Sequence, residues 1–523
     1  MTKFSDRNLG DLTPVATAVS SRPERKGASR NPLMNGREKS DKFVVPLKRA
    51  NKSKSDAEHV EGRDLTKRNC TQTTTDRTQC RGAVSRGLCA VRQAARKGPN
   101  VVFTALLHHV TPEMLHASYL QLQRHSAAGI DGVTWQDYGD EVERKLQQLH
   151  DSLHAGRYRA RPARRVYIPK ADGSARPLSI LCLEDKIVQQ AVVTVLNAIY
   201  ENDFVGFSYG FRPERGQHDA LDAVHVGLYR RKVNWIVDAD ISKFFDTVDH
   251  AWLMKLLQHR IGDKRLLRLL QKWLTIGVWE DDKHTRSTQG VPQGAVISPL
   301  LANVYLHYVF DLWSQAWRKH RAQGDMIMIR YADDTIVGFE DRQEAEQFLS
   351  ALHKRMAQFA LSLHPDKTRL IAFGRFAMDK ARRRGHKPAT FDFLGFTHYC
   401  TQARSNGWFV VGRKTIKKRM RAQLQTIKQE LRRRMHLDVA TVGRWLHRVL
   451  LGHLNYYAVP GNGPNVDAFF REVGKLWLKM LRRRSQRHCT NWARFNRLRA
   501  RYFPHVKIIH PHPIQRFDAK HSR

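Results

Sequence analysis

An apolar run, Met326-Ile327-Met328-Ile329, leads into Tyr331-Ala332-Asp333-Asp334, and a second run, Thr335-Ile336-Val337-Gly338-Phe339, leads out. This pattern predicts strand, tight turn, strand, with two adjacent carboxylates at the bend. An Asp pair in a turn is commonly no more than a solvated turn. A structure that presents both acids, however, usually holds a cation between them, because neighbouring carboxylates repel. A second segment has the same build: Trp235-Ile236-Val237 runs into Asp238-Ala239-Asp240, followed by Ile241-Ser242-Lys243-Phe244-Phe245-Asp246. Asp240 precedes Asp333 by 93 residues. If both strands lie in one sheet, Asp240, Asp333 and Asp334 can converge on two Mg²⁺ ions. Magnesium takes few protein oxygens, and a pair of such ions clamps the attacking and leaving oxygens of an in-line phosphoryl displacement.

Further segments stand around these two. They are Gly129-Ile130-Asp131-Gly132, Val166-Tyr167-Ile168-Pro169-Lys170, Arg176-Pro177-Leu178-Ser179, Glu184-Asp185-Lys186 and Tyr209-Gly210-Phe211-Arg212-Pro213. After Asp240 come Gln289-Gly290-Val291-Pro292-Gln293-Gly294, Ser298-Pro299-Leu300-Leu301-Ala302-Asn303, His364-Pro365-Asp366-Lys367 and Phe393-Leu394-Gly395-Phe396. In this order, over roughly residues 87 to 500, the chain resembles the reverse transcriptase/maturase proteins encoded by bacterial group II introns.

The resemblance implies an α+β fold: a right-hand polymerase, with fingers and an antiparallel palm sheet, followed by an α-helical thumb/maturase domain. It implies RNA-directed DNA polymerisation, with Asp240, Asp333 and Asp334 catalytic and holding two Mg²⁺, and the Ile241 carbonyl as a further ligand. Lys170 and Arg176 correspond to fingers residues that meet the triphosphate; Arg suits bidentate contact and Lys a point charge. Phe245 is either the gate that excludes a ribose 2′-hydroxyl or an aromatic of the core. Pro292, Gln293 and Gly294 are expected at the template base and nascent pair. Lys367 meets phosphate or primer, or merely ends a helix. Asp238 shares the strand phase of Asp240 two residues back, which leaves a supporting role behind the site open, and Asp246 lies beyond the strand; both are read as structural. The implied partners are group II intron RNA, an RNA template with DNA primer or target DNA, and dNTPs, with no membrane; a homodimer on RNA is compatible with the sequence. Two other readings stay open. One is a splicing-only RNA-binding maturase, and the other a domesticated polymerase of repair or phage defence.

Composition points the same way. Ninety Lys and Arg against 49 Asp and Glu give a formal net charge of +41. A chain this basic seeks polyanions. The excess is uneven: residues 413–523 hold 27 basic and five acidic residues, net +22. Ile416, Met420, Leu424, Ile427 and Leu431 recur at helical spacing among Lys417, Lys418 and Arg421, as an amphipathic basic helix would have it. Arg448, Asn455 and Tyr456 in the following segment, and Arg482-Arg483-Arg484 beyond it, are the further residues expected to face RNA.

The six cysteines lack paired spacing, so neither zinc nor a disulfide framework is signalled. With no secretory segment either, a cytoplasmic, nucleoid-associated protein is expected. The expected organisation is a basic, unstructured extension over 1–85, a helical and loop region over 86–156, fingers and palm over 157–400, thumb/maturase over 401–475, and a basic nucleic-acid-binding tail over 476–523 without an endonuclease domain.

Overall fold

The computed structural model describes residues 88–169, 175–280, 282–403, 406–484 and 490–521, all in one compact unit. The extension expected over 1–85 and the candidate Lys170 lie outside the described residues. The strands are β1 (Ala163–Pro169), β2 (Ala175–Ile180), β3 (Trp235–Ala239), β4 (Val278–Glu280), β5 (Lys283–Thr285), β6 (Met326–Tyr331), β7 (Asp334–Phe339), β8 (Arg369–Ala372), β9 (Thr390–Phe393), β10 (Phe396–Gln402) and β11 (Phe409–Thr415). They form three sheets, ordered β2-β1-β4-β5, β6-β7-β3-β8 and β11-β10-β9. These pairings are antiparallel except β1 on β4, where Ala163 lies opposite Val278. The principal helices are α1 (Leu183–Asp203), α2 (Gln217–Arg230), α3 (Phe244–Thr247), α4 (Ser298–Leu306), α5 (Lys417–Arg433), α6 (Val439–Tyr457), α7 (Gly463–Arg483), α8 (Trp492–Tyr502) and α9 (Pro513–Lys520). The fold is thus mixed α+β.

The β6-β7-β3-β8 sheet explains why its strands read as continuous apolar runs. Alternate side chains serve two different cores. Val237, Met326, Met328, Val337 and Phe339 face the cluster that includes α1. Ile236, Ile327, Ile329 and Ile336 face the cluster of α2 and the β9–β11 sheet. A sheet buried on both faces has no polar phase to show. A third core, built from α5 to α8 around Trp477, Phe469, Leu446 and Leu450, stands apart from the strands. No helix among the described residues is long and apolar enough to cross a membrane.

Two expected boundaries fall inside elements, and the last segment packs differently from expectation. The division at 400/401 falls inside β10, which pairs with β11 along its whole length. The division at 475/476 falls inside α7. The last segment is not a tail. Asn491 caps α8, whose Phe495 and Tyr502 pack edge-on against Trp477. Beyond it α9 lies on α2, tied by Arg516 to buried Asp222, Lys520 to Asp219 and Asp518 to Arg230. Positive charge in this segment is therefore partly spent on internal acids, which composition alone does not reveal.

Candidate active site

The register of the central sheet brings the carboxylates together. Ala239 pairs with Thr335 across β3 and β7. One step further along the same antiparallel register sets Asp240 opposite Asp334. In the adjoining hairpin Tyr331 pairs with Asp334, leaving Ala332 and Asp333 as the two-residue turn. Ala332 holds φ 57°, a left-handed conformation that disfavours a β-carbon. Its surroundings fix it there. Gly210 lies so close that a β-carbon on it would stand 2.3 Å from the Ala332 nitrogen. Arg330 donates to the Ala332 carbonyl at 3.0 Å, to Asn303 Oδ1 at 3.0 Å and to Ser208 Oγ at 2.7 Å. The same guanidinium meets Asp311 at 2.7 and 2.5 Å, and both residues are almost fully buried. Asp311 sits where the chain beyond α4 widens into a π turn, His307–Asp311. The turn bearing Asp333 is thus braced from beneath by a buried ion pair.

These acids are crowded. The Asp334 carboxyl is pushed up to about 7, by desolvation first and then by Asp333, Asp240 and Asp238. Solvent does reach Asp334 at the surface, so less of the shift belongs to lost hydration and more to its acidic neighbours. Asp333 is likewise raised, by desolvation and by Asp240, with Arg176 and Lys367 opposing. Asp238, raised to about 6 chiefly by desolvation, pairs with Arg369 at 3.2 Å. Lys367 places its ammonium 2.8 Å from Asp240 Oδ2. Among the described residues no three His, Cys, Asp or Glu side chains stand close enough to enclose an ion as they are placed. The donor set nonetheless suits a hard divalent cation: three carboxylates, all oxygen, whose mutual repulsion only positive charge relieves. The Ile241 carbonyl is also free of the ladder. Its bridge to Leu363 is closed by its neighbours, with His364 N donating to Asp240 O and Ser242 N to Ser362 O.

Other candidates gather around this point. Phe245, in α3, is half-buried and lies edge-on to Phe211, an exposed ring on a left-handed residue (φ 59°). Val291 N donates to the Phe245 carbonyl at 2.7 Å, which anchors one end of the 289–294 loop. Ser179 N donates to Gln293 O at 2.6 Å, which anchors the other end to β2. Gly294 (φ 106°) allows that approach, since a β-carbon would stand 2.7 Å from Ser179 O. Arg176 Nε donates to Gln293 Oε1 at 2.9 Å. Asp240, Asp333, Asp334, Arg176, Lys367, Phe245 and the 292–294 loop therefore form one neighbourhood. Sequence reasoning missed Arg330 and Asp311, which bear no motif of their own, and Arg419 on α5. Arg419 acts on Asp334 and meets the Tyr457 hydroxyl, a position readable only once the phase of α5 against the sheet is known.

The residues expected to face RNA scatter. Lys417, Lys418 and Arg421 are exposed on α5, and Arg448 on α6 lines an open cleft of about 560 Å³ with Arg444, His447, Arg501 and Tyr502. Tyr456 corrects the expectation: its hydroxyl donates to Leu394 O at 2.7 Å and its ring stacks on Phe396, so it joins α6 to the β9–β10 turn. Asn455 is half-buried, and its carbonyl faces His510 Nε2 at 2.8 Å. Arg482 donates to Thr490 O and Arg484 to Leu437 O, both closing the chain on itself, while Arg483 is exposed.

Residues 168–398 match the family model described as reverse transcriptase (RNA-dependent DNA polymerase). Protein YkfC of Escherichia coli (strain K12) is 41% identical over 238 residues, 44% of this chain and 62% of that protein. Group II intron-encoded protein LtrA of Lactococcus lactis subsp. cremoris is 36% identical over 208 residues, 39% of this chain and 34% of LtrA. The putative COX1/OXI3 intron 2 protein of Saccharomyces cerevisiae is 38% identical over 162 residues, 31% of this chain and 19% of that protein. The chain thus spans less than two thirds of the length of each of these relatives.

Proposed function

We propose that this chain, whose residues 168–398 form a reverse transcriptase domain similar to that of group II intron-encoded proteins, is an RNA-directed DNA polymerase that also binds its intron RNA. The observation that carries the reading is the meeting of Asp240 with Asp333 and Asp334 at the ends of β3 and the β6–β7 hairpin. In this reading the β6-β7-β3-β8 sheet is the palm, the β2-β1-β4-β5 sheet belongs to the fingers, and α5 to α7 form the thumb/maturase domain.

Asp240, Asp333, Asp334 and the Ile241 carbonyl would hold two Mg²⁺. When bound, such a pair lowers the pKa of the primer 3′-hydroxyl and neutralises the departing pyrophosphate. Lys367 covers the charge of Asp240 and lies within reach of a phosphate brought to the same place. Arg176 presents its guanidinium to the triphosphate from β2. Phe245, fixed by its own carbonyl bond and by Phe211, stands under the sugar of the incoming nucleotide, where a 2′-hydroxyl would collide. The 292–294 loop lies against the nascent base pair. Intron RNA is assigned to the exposed cations of α5 and α6.

Purified protein is tested on a primed RNA template with Mg²⁺ and dNTPs, beside Asp333→Ala combined with Asp334→Ala. Extension by wild type alone supports the reading. A silent wild type that binds structured RNA as tightly as the variant replaces it with an RNA-folding cofactor.

A further inference from the structure

Asp246 belongs to no carboxylate pair, and the sequence marks it only as lying beyond the β3 strand. It follows Asp240 by six residues, on the exposed side of the short α3 helix. There its Oδ1 accepts from Gln293 Nε2 at 2.9 Å. The other end of the same amide accepts from Arg176 Nε at 2.9 Å. Three separate segments are therefore joined in one line: α3, the 289–294 loop and β2.

Chemistry fixes the direction of this line. A carboxylate only accepts and a guanidinium only donates, so the Gln293 amide must turn its nitrogen to Asp246 and its oxygen to Arg176. The arrangement also differs from a direct ion pair. Asp246 fixes the amide by accepting its N–H, and the amide holds Arg176 by one of its five N–H groups, while the remaining donors stay available. The guanidinium that remains acts on Asp333.

We propose that Asp246 is a positioning residue for nucleotide binding: through Gln293 it holds Arg176 over the carboxylates, aimed at the triphosphate of the incoming nucleotide. This inference rests on the polymerase reading above. The line is solvent-exposed in the free protein, so its bonds contribute little to global stability there, and what they restrain is the local opening of β2. Once a nucleotide covers the site and excludes water, the same bonds strengthen. Asp246 is thus separable from folding.

The test compares Asp246→Ala, Asp246→Asn and Gln293→Ala with the double variant Asp246→Ala/Gln293→Ala. Asp246→Ala is expected to raise KM for dNTPs about tenfold while kcat changes much less, as loss of nucleotide binding requires. Its thermal midpoint stays at the wild-type value. Asp246→Asn, whose amide oxygen still accepts from Gln293, recovers most of the loss. The double variant is no worse than Gln293→Ala, because Asp246 acts only through that amide. Wild-type KM in Asp246→Ala overturns the proposal. So does an Asp246→Asn defect equal to that of Asp246→Ala, which would mean that charge and not hydrogen bonding matters. So does full additivity in the double variant.

Amide hydrogen exchange over residues 175–180 gives a readout that needs no activity. It rises in Asp246→Ala, stays at the wild-type level in Asp246→Asn, and refutes the proposal if unchanged in both. Absence of extension by wild type would instead count against the polymerase reading, with exchange still deciding on Asp246.

Discussion

The strand-borne site and the helical C-terminal region use charge in opposite ways. Around Asp240 and Asp333 like charges are forced together, and the scaffold beneath them is rigid: sheet register, a glycine contact at Gly210 and the buried Arg330–Asp311 pair. In α5 to α8 unlike functions are interleaved along the same helices. Arg448 is exposed in a cleft, whereas Tyr456, eight residues on, is locked against Leu394 and Phe396. A site made by register can be read from two short segments. A surface made by helix phase cannot, because the partner that covers one face lies elsewhere in the chain.

The largest effect should come from removing the crowded acids. If the proposed reading holds, Asp333→Ala with Asp334→Ala removes the carboxylates that would hold the metal ions, so primer extension should fall by roughly 10³-fold or more. Stability should not fall with it. Acids that repel one another destabilise the folded chain, so the thermal midpoint should hold or rise. A drop of several degrees would mean that the pair supports the fold, and the contrast between the regions would lose its basis.

Asp311 is the converse case. Asp311→Ala leaves Arg330 buried without its carboxylate, and breaking such a pair costs about 3–5 kcal/mol. Asn303 and Ser208 still accept from Arg330, which limits the loss. Denaturant unfolding measures it. A change under about 1 kcal/mol would show that the turn is held by Gly210 and the ladder alone.

Much of this site was legible. The two carboxylate segments, the β6–β7 hairpin and the loop at Pro292-Gln293-Gly294 follow from motifs whose neighbours in sequence are also neighbours in space. Asp311 and Arg330 escaped because their pairing spans a helix and a strand and carries no spacing rule. Tyr456 was misread for the same physical reason: an aromatic among arginines looks like a stacking platform until its other face is seen filled. The boundaries at 400 and 475 fall inside β10 and α7, because a strand pairing between distant residues and a helix that continues past its motif leave no mark at those positions in the sequence.

A pH effect separates scaffold from site. The Asp185 carboxyl, next to the site segments in sequence but buried against Tyr158, is pushed up to about 6 by desolvation; the Tyr158 hydroxyl and Arg161 N–H oppose this. Unfolded, such a group titrates near its ordinary value of about 3.9. The folded chain therefore binds more protons between these values. The stability this gives is present in full below the lower value and is lost as pH rises through the upper one. Asp185→Asn should remove about 2–3 kcal/mol of that pH dependence. Urea midpoints from pH 4 to 7.5 should converge at the acid end and favour the variant at neutral pH. Parallel curves would place the ionised carboxylate in the native state.

The smallest effects test the C-terminal region most directly. Arg448→Ala removes one exposed cation, so RNA affinity should fall a few-fold, and the slope of log affinity against log salt should flatten by about 0.7–0.9. Tyr456→Phe removes only the hydroxyl given to Leu394, so it should cost about 1 kcal/mol of stability and leave both affinity and salt slope unchanged. The pair is informative together. If Tyr456→Phe weakened RNA binding while Arg448→Ala did not, the apolar, internally bonded face of α6 would be the one that opens to RNA. The helical region would then change its packing on binding, unlike the strand-borne site.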